Sequence, residues 1–220
     1  MKIIDINSWK RKEHFDFFSK FDEPFFGIVS EIDCTIAYKV AKETTKSFFA
    51  YYLHKSLLAV NEIEEFKCRI DGTNVIIYDK IHASPTIVRD DGTFGYSFVH
   101  FNPDFEIFDR SLKKEIINIQ NSVGLKLTED AMRKDTIHYS SIPWSKFTGL
   151  THARNFKIVD SVPKITFGKI FLREEKWIMP IAINVHHGLV DGLHVTKYLE
   201  LFQKLMNERK PTKPMTYKPH

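Results

Sequence analysis

One stretch restricts the fold of this 220-residue chain more than any other: Trp177–Val195, WIMPIAINVHHGLVDGLHV. Its first half is apolar almost without a break, which predicts a buried strand. The strand runs into two histidines and a turn at Asp191-Gly192. From Gly192 to Glu208 apolar residues then recur at helical spacing, at Leu193, Val195, Tyr198, Leu199, Phe202 and Leu205. Neighbouring side chains on a strand point to opposite faces, so His186 and His187 share a pocket only if the strand has already ended. That geometry opposes a metal site built from His186, His187, Asp191 and His194. No further Cys or carboxylate cluster supports one, so no metal is expected.

Elsewhere helices alternate with hairpins. Asn7 to Phe21 is amphipathic and predicts a short helix with Ser8 as its N-cap. Phe25 to Asp33 reads as a strand, and Thr35 to about Val60 as one long helix packed on a sheet. FKCRI and NVIIY flank Asp71-Gly72, and PTIVR and FGYSFVHF flank Asp90-Asp91-Gly92, which predicts two hairpins. Phe108 to Val123 predicts another helix. Strands are expected around Thr151–Phe156 and in ITFGKIFL, the last paired with WIMPIAINVHH across Arg173–Lys176. With no repeat or linker, residues 1–209 read as a single α+β domain with a mixed, largely antiparallel sheet. The lysine- and proline-rich remainder, 210–220, is expected to be disordered.

Composition narrows the function. Nineteen Phe imply a thick core, an apolar pocket or a subunit interface, because phenylalanine buries a large area without needing a hydrogen-bond partner. A net charge of +4 suits an anionic small molecule such as a nucleotide-bearing cofactor, and falls short of a nucleic-acid footprint. Cys34 and Cys68 sit in no ligand array and fit a reducing compartment. With no signal-like or membrane-length apolar run, the expected location is the cytoplasm, without a membrane partner.

His187, three residues, then Asp191-Gly192 form the pattern HxxxDG. Three further motifs precede it in order: Trp9-Lys10-Arg11-Lys12-Glu13-His14-Phe15, Ser141-Ile142-Pro143-Trp144 with Phe147, and Pro163-Lys164-Ile165-Thr166-Phe167-Gly168-Lys169. Together they resemble the chloramphenicol acetyltransferase family, over nearly the whole chain. The resemblance implies the coenzyme A-dependent acyltransferase fold, a two-layer sandwich of sheet and helices. It implies direct acetyl transfer from acetyl-CoA to the 3-hydroxyl of chloramphenicol, giving antibiotic resistance, with no permanently bound cofactor. His187 would be the general base, a role that suits an imidazole whose unperturbed pKa is about 6.5. Asp191 would form a buried ion pair with Arg11 and hold the backbone in shape, and Gly192 would allow a tight turn or close approach.

The same resemblance expects a serine two residues after Phe147 to donate to the oxyanion, where this chain has Gly149. Thr148, a backbone amide near Gly149, and a water held by Thr166 are then the candidates. Phe17 and Phe18, with Phe25 and Phe94, would line the acceptor pocket, and Leu150 is a further candidate. Lys169 and, more loosely, Lys46 would meet the phosphates of coenzyme A. Family members are homotrimers with active sites at subunit boundaries, so His187 of one chain would serve a pocket largely built by its neighbour. Two alternatives stay open: the same fold acetylating a different hydroxyl compound, and a non-catalytic relative that binds a hydrophobic molecule. A dihydrolipoamide acyltransferase core shares HxxxDG but would carry a lipoyl domain and linker upstream.

Overall fold

The computed structural model describes residues 1–209; the expectation for 210–220 lies outside the described residues. In chain order the elements are β1 (Lys2–Ile3), α1 (Lys12–Phe18), β2 (Phe25–Asp33), α2 (Thr35–Glu43), α3 (Phe48–Asn61), β3 (Cys68–Asp71), β4 (Asn74–Ile77), β5 (His82–Val88), β6 (Phe94–Tyr96), α4 (Phe105–Gln120), β7 (Thr136–Ile142), β8 (Lys164–Gly168), β9 (Phe171–Arg173), β10 (Lys176–His186) and α5 (Gly192–Met206). The main sheet has the order β2-β10-β8-β7-β5-β6, with β9 paired to the first residues of β10. β7 runs parallel to β5 and β8, and the remaining pairs are antiparallel. A small sheet, β1-β4-β3, stands apart from it. This is the mixed, largely antiparallel α+β arrangement expected from the sequence.

Strand alternation divides the main sheet into an apolar face and a polar face. Ile137 and Tyr139 of β7, Ile165 and Phe167 of β8, and Ile181, Ile183 and Val185 of β10 join the hydrophobic core. There Phe167 meets Tyr52 of α3 and Phe202 of α5, at ring-centroid distances of 4.6 and 6.0 Å. Ser56 of α3 ties the layers together, its hydroxyl bonded to Tyr139 at 2.9 Å and Tyr198 at 2.6 Å. The opposite face carries the intervening residues. Register aligns Ser84, His138, Lys164, Asn184 and Gly27 in one row across the strands, and Ser140, Thr166, Ala182 and Val29 in the next.

Several expectations need correction. The long helix is two helices, because α2 stops at Thr44, Thr45 turns to φ +54°, and the Ser47 hydroxyl caps α3 by accepting from the Ala50 amide. α1 begins only at Lys12 after Arg11, and the Ser8 hydroxyl bonds back to Asp5 instead of capping it. In the first hairpin Asp71 pairs with Asn74, so Gly72 and Thr73 form the turn. α4 starts earlier than expected, where Asp104 accepts from the amides of Glu106 and Ile107. No strand forms at Thr151–Phe156, which belongs to a connection running from Pro143 to Pro163. The strand lies before it, at Thr136–Ile142, where Thr, His and Ser occupy the polar face. Gly168 lets that connection close onto the sheet: a Cβ there would stand 2.9 Å from the Phe147 ring.

Candidate active site

β10 ends at His186, whose carbonyl accepts from the amides of both Leu189 and Val190 at 3.0 Å. The strand alternation is therefore broken before His187, and the two histidines meet different surroundings. His186 is buried, and its Nδ1 accepts from the Gly188 amide at 3.1 Å. Burial, then the charge of Arg154, pushes the His186 pKa down to about 4, so its ring is neutral and its Nδ1 occupied. The His187 ring lies flat against Phe18 at 3.9 Å and 5° and touches Phe26 at 4.5 Å. Its Nδ1 is buried without a hydrogen-bond partner.

Arg11 reaches this turn from just before α1. Its Nη1 donates to Asp191 Oδ2 at 2.6 Å and its Nη2 to the carbonyl of His187 at 3.2 Å. Asp191 also caps α5, accepting from the Leu193 amide through Oδ1 at 3.1 Å. His194 completes a capping box, accepting the Asp191 amide at Nδ1, which leaves Nε2–H to face Glu65 Oε1 at 3.2 Å. Burial alone would push the Asp191 carboxyl up; hydrogen bonds and nearby positive charge, led by Arg11, outweigh it and hold the carboxyl low. Gly192 opens α5 without a positive φ, and nothing lies within 4 Å of where a Cβ would stand, so neither a left-handed turn nor a close approach requires glycine there.

Two cavities lie near a pair of hydroxyl-bearing residues on the polar face, one of which, Ser140, borders the apolar cavity. Ser140 of β7 and Thr166 of β8 are in register, and Ser140 Oγ lies 3.3 Å from Thr86 Oγ1. On one side is an apolar cavity of about 530 Å³, bounded by Phe49, Tyr52, Phe94, Ser140 and Trp144. On the other is a polar cavity of about 390 Å³, bounded by Phe25, Gly149, His152, Arg154, Lys164 and Asn184. Thr166 is buried and lines neither cavity; its Oγ1 is 3.5 Å from Nε2 of His152, which borders the polar one.

The residues expected to form one acceptor pocket do not converge within a single chain. Phe18 covers His187; Phe17 is exposed and packs on Phe18 and Phe21; Phe25 and Leu150 border the polar cavity; Phe94 borders the apolar one. His187 lines neither of these cavities. Thr148 and Gly149 are exposed on the connection, and of the two Gly149 borders the polar cavity. Lys46 is already paired with Glu106 at 2.6 Å, and its pKa is raised first by that hydrogen bond. Lys169 is exposed, and its amide holds the carbonyl of Ser145, next to Trp144 of the apolar cavity. Ser140 was not among the expected site residues, although the alternation Thr136-Ile137-His138-Tyr139-Ser140 places its hydroxyl on the polar face. Among the described residues no three His, Cys, Asp or Glu side chains are placed to hold a metal ion, and no helix is long and apolar enough to cross a membrane.

The sequence matches the family model for chloramphenicol acetyltransferase over residues 1–203. It is 26% identical over 211 residues to the chloramphenicol acetyltransferase of Proteus mirabilis, with 94% of each chain covered. A solved chloramphenicol acetyltransferase has a TM-score of 0.86 at 32% identity, covering 93% of this chain and 99% of that one. A probable dihydrolipoamide acetyltransferase from Listeria monocytogenes, at 14% identity and a TM-score of 0.66 over 99% of this chain and 97% of that one, shares the fold alone. With a family match across nearly its whole length and the coenzyme A-dependent acyltransferase fold, the chain belongs to the chloramphenicol acetyltransferase family of acyltransferases.

Proposed function

We propose that the protein transfers the acetyl group of acetyl-CoA directly to the 3-hydroxyl of chloramphenicol, the route by which a cytoplasmic enzyme of this family would confer resistance. The observation that carries this reading is the register pair Ser140–Thr166, with Ser140 bordering the apolar cavity and Thr166 reaching His152 of the polar one. A thin pantetheine arm suits the apolar cavity beside Trp144 and Tyr52, and the acceptor enters from the polar one. Lys169, directly after β8, is then the cation best placed for a coenzyme A phosphate, ahead of Lys46 with its Glu106 partner.

In this mechanism His187 takes the proton of the acceptor hydroxyl as its oxygen attacks the thioester carbonyl carbon. The carbonyl oxygen becomes an oxyanion, for which the Ser140 hydroxyl is the donor, with Thr166 beside it. When the carbon–sulfur bond breaks, the coenzyme A thiolate takes the proton from the His187 imidazolium. Arg11 and Asp191 do no chemistry; they hold the carbonyl of His187 and the first turn of α5. Because His187 lines neither cavity of its own chain, the reading places it at the cavities of a neighbouring copy, within a homotrimer.

The test is to mix the purified protein with acetyl-CoA and chloramphenicol and follow released thiol with a colorimetric reagent. The expected result is one thiol released per O-acetylated chloramphenicol formed, identified by mass spectrometry. Absence of thiol release with chloramphenicol at saturating acetyl-CoA contradicts the assignment.

A further inference from the structure

The polar cavity has walls that a neutral aromatic ring does not use. Two cations stand against its Phe25: the Arg154 guanidinium lies 3.6 Å from the ring centroid and the Lys164 ammonium 4.6 Å. A phenyl ring engaged by cations offers less face for stacking another ring. Both cations are largely buried, with side-chain exposures of 11% and 10%. Lys164 is satisfied by Asp160 at 2.5 Å and the carbonyl of Val162 at 3.2 Å. Arg154 bonds to Glu23 through one Nη1 contact at 2.7 Å, leaving most of its guanidinium donors for something else.

Next to them, Asn184 lies in the row between Lys164 and Gly27. Its Oδ1 would stand 2.7 Å from any Cβ at position 27, so glycine there is what lets the amide lie in the cavity wall. Asn184 Nδ2 is buried and has no hydrogen-bond partner. A buried amide donor left unmatched is costly, and a ligand oxygen would satisfy it. Each of the two cations has its own carboxylate, Glu23 for Arg154 and Asp160 for Lys164. His152 adds no charge at neutral pH, since burial, then the charges of Lys164 and Arg154, lower its pKa. The lining therefore has donors to spare, on Arg154 and on the Asn184 amide, beside cations that are each already paired with a carboxylate.

We infer that this cavity is a carboxylate-binding subsite, with Arg154 and Asn184 as its donors, and that the hydroxyl acceptor best used by this chain carries a carboxylate. The inference rests on the acetyl-transfer reading for the word acceptor, while the subsite itself stands on the cavity alone. A carboxylate suits these walls because charge-assisted bonds from a guanidinium are stronger than neutral ones and favour two coplanar oxygens. Arg154 and Asn184 are specificity residues in this picture; neither takes part in proton transfer.

Two measurements test it. The first is titration of the protein with benzoate, followed by NMR chemical shifts, for the wild type, Arg154→Met and Arg154→Lys. Saturable binding should weaken at least about tenfold in Arg154→Met, with partial retention in Arg154→Lys. The second is the ratio of kcat/KM for a chloramphenicol analogue bearing a carboxylate in place of the nitro group to that for chloramphenicol. This ratio should exceed one in the wild type and fall at least about tenfold in Arg154→Met, the loss appearing in KM for the carboxylate-bearing analogue. Circular dichroism checks that each variant is folded, and Asn184→Leu serves in place of any Arg154 variant that is not. Benzoate that fails to bind, or binds wild type and variants alike, overturns the subsite. Benzoate binding without acetyl transfer to any acceptor leaves the subsite standing and overturns the acetyl-transfer reading instead.

Discussion

On the proposed mechanism, replacing His187 with Ala should lower the rate of acetyl transfer to chloramphenicol by roughly 10³-fold, the scale expected when a positioned general base is removed. The loss should appear in kcat, because the proposed imidazole base would act on the hydroxyl proton as the bond forms, with the KM for acetyl-CoA little changed. Stability should fall by only about 1 kcal/mol, since what goes structurally is the stack on Phe18 and the contact with Phe26. Steady-state kinetics together with thermal unfolding separate the two effects. His186 cannot stand in, because it is buried, its pKa is pushed down to about 4 and its Nδ1 already accepts from Gly188. A His187→Ala protein that kept more than a tenth of the wild-type rate would show that the base lies elsewhere.

Replacing Arg11 with Ala should damage stability and activity together. The guanidinium bridges Asp191 and the carbonyl of His187, so its removal frees the turn that carries His187. The pair is partly exposed, at 13% and 31% of the two side chains, so the cost is set below that of a fully buried pair, at about 2 kcal/mol. The pH dependence has a definite sign. The Asp191 carboxyl is held below its ordinary value of 3.8 in the folded protein. The stabilisation is therefore complete above that value and is lost as the pH falls through the lowered one. Arg11→Ala should lose least relative to wild type in acid, and chemical denaturation at pH 7 and at pH 3 reads the difference. Equal losses at both pH values, or an unaffected kcat, would contradict the role given to the ion pair.

What could be read from the sequence depended on how local the cause was. The passage from β10 through two histidines into α5 is a continuous stretch, so its apolar run, turn and helical spacing were legible directly. The break between α2 and α3 has a local cause as well, in Thr44-Thr45 and the Ser47 cap, but the apolar spacing on either side conceals it. The site is another matter. Ser140 meets Thr166 only because β7 and β8 lie side by side and in register, a relation that neither segment carries alone. Phe17 and Phe18 adjoin in sequence, yet one is exposed while the other covers His187. Phe25 and Phe94 end at different cavities for the same reason, because sheet order decides which loops meet. The charged lining of the polar cavity depends on the connection from Pro143 to Pro163 folding back, which brings Arg154 against Phe25.

In the proposed trimer His187 of one chain works on the Ser140–Thr166 pair of another, and a mixed assembly reads this out. One protein carries His187→Ala with its cavities intact; the second carries Ser140→Ala with Thr166→Ala and an intact His187. Each alone should be nearly inactive. After co-expression and random assembly, about a quarter of the sites in a cyclic oligomer would join a wild-type histidine to a wild-type hydroxyl pair. Acetylation of chloramphenicol at about a quarter of the wild-type rate is the predicted result. A mixture no more active than the sum of its two parents would place base and hydroxyls in the same chain and contradict the account.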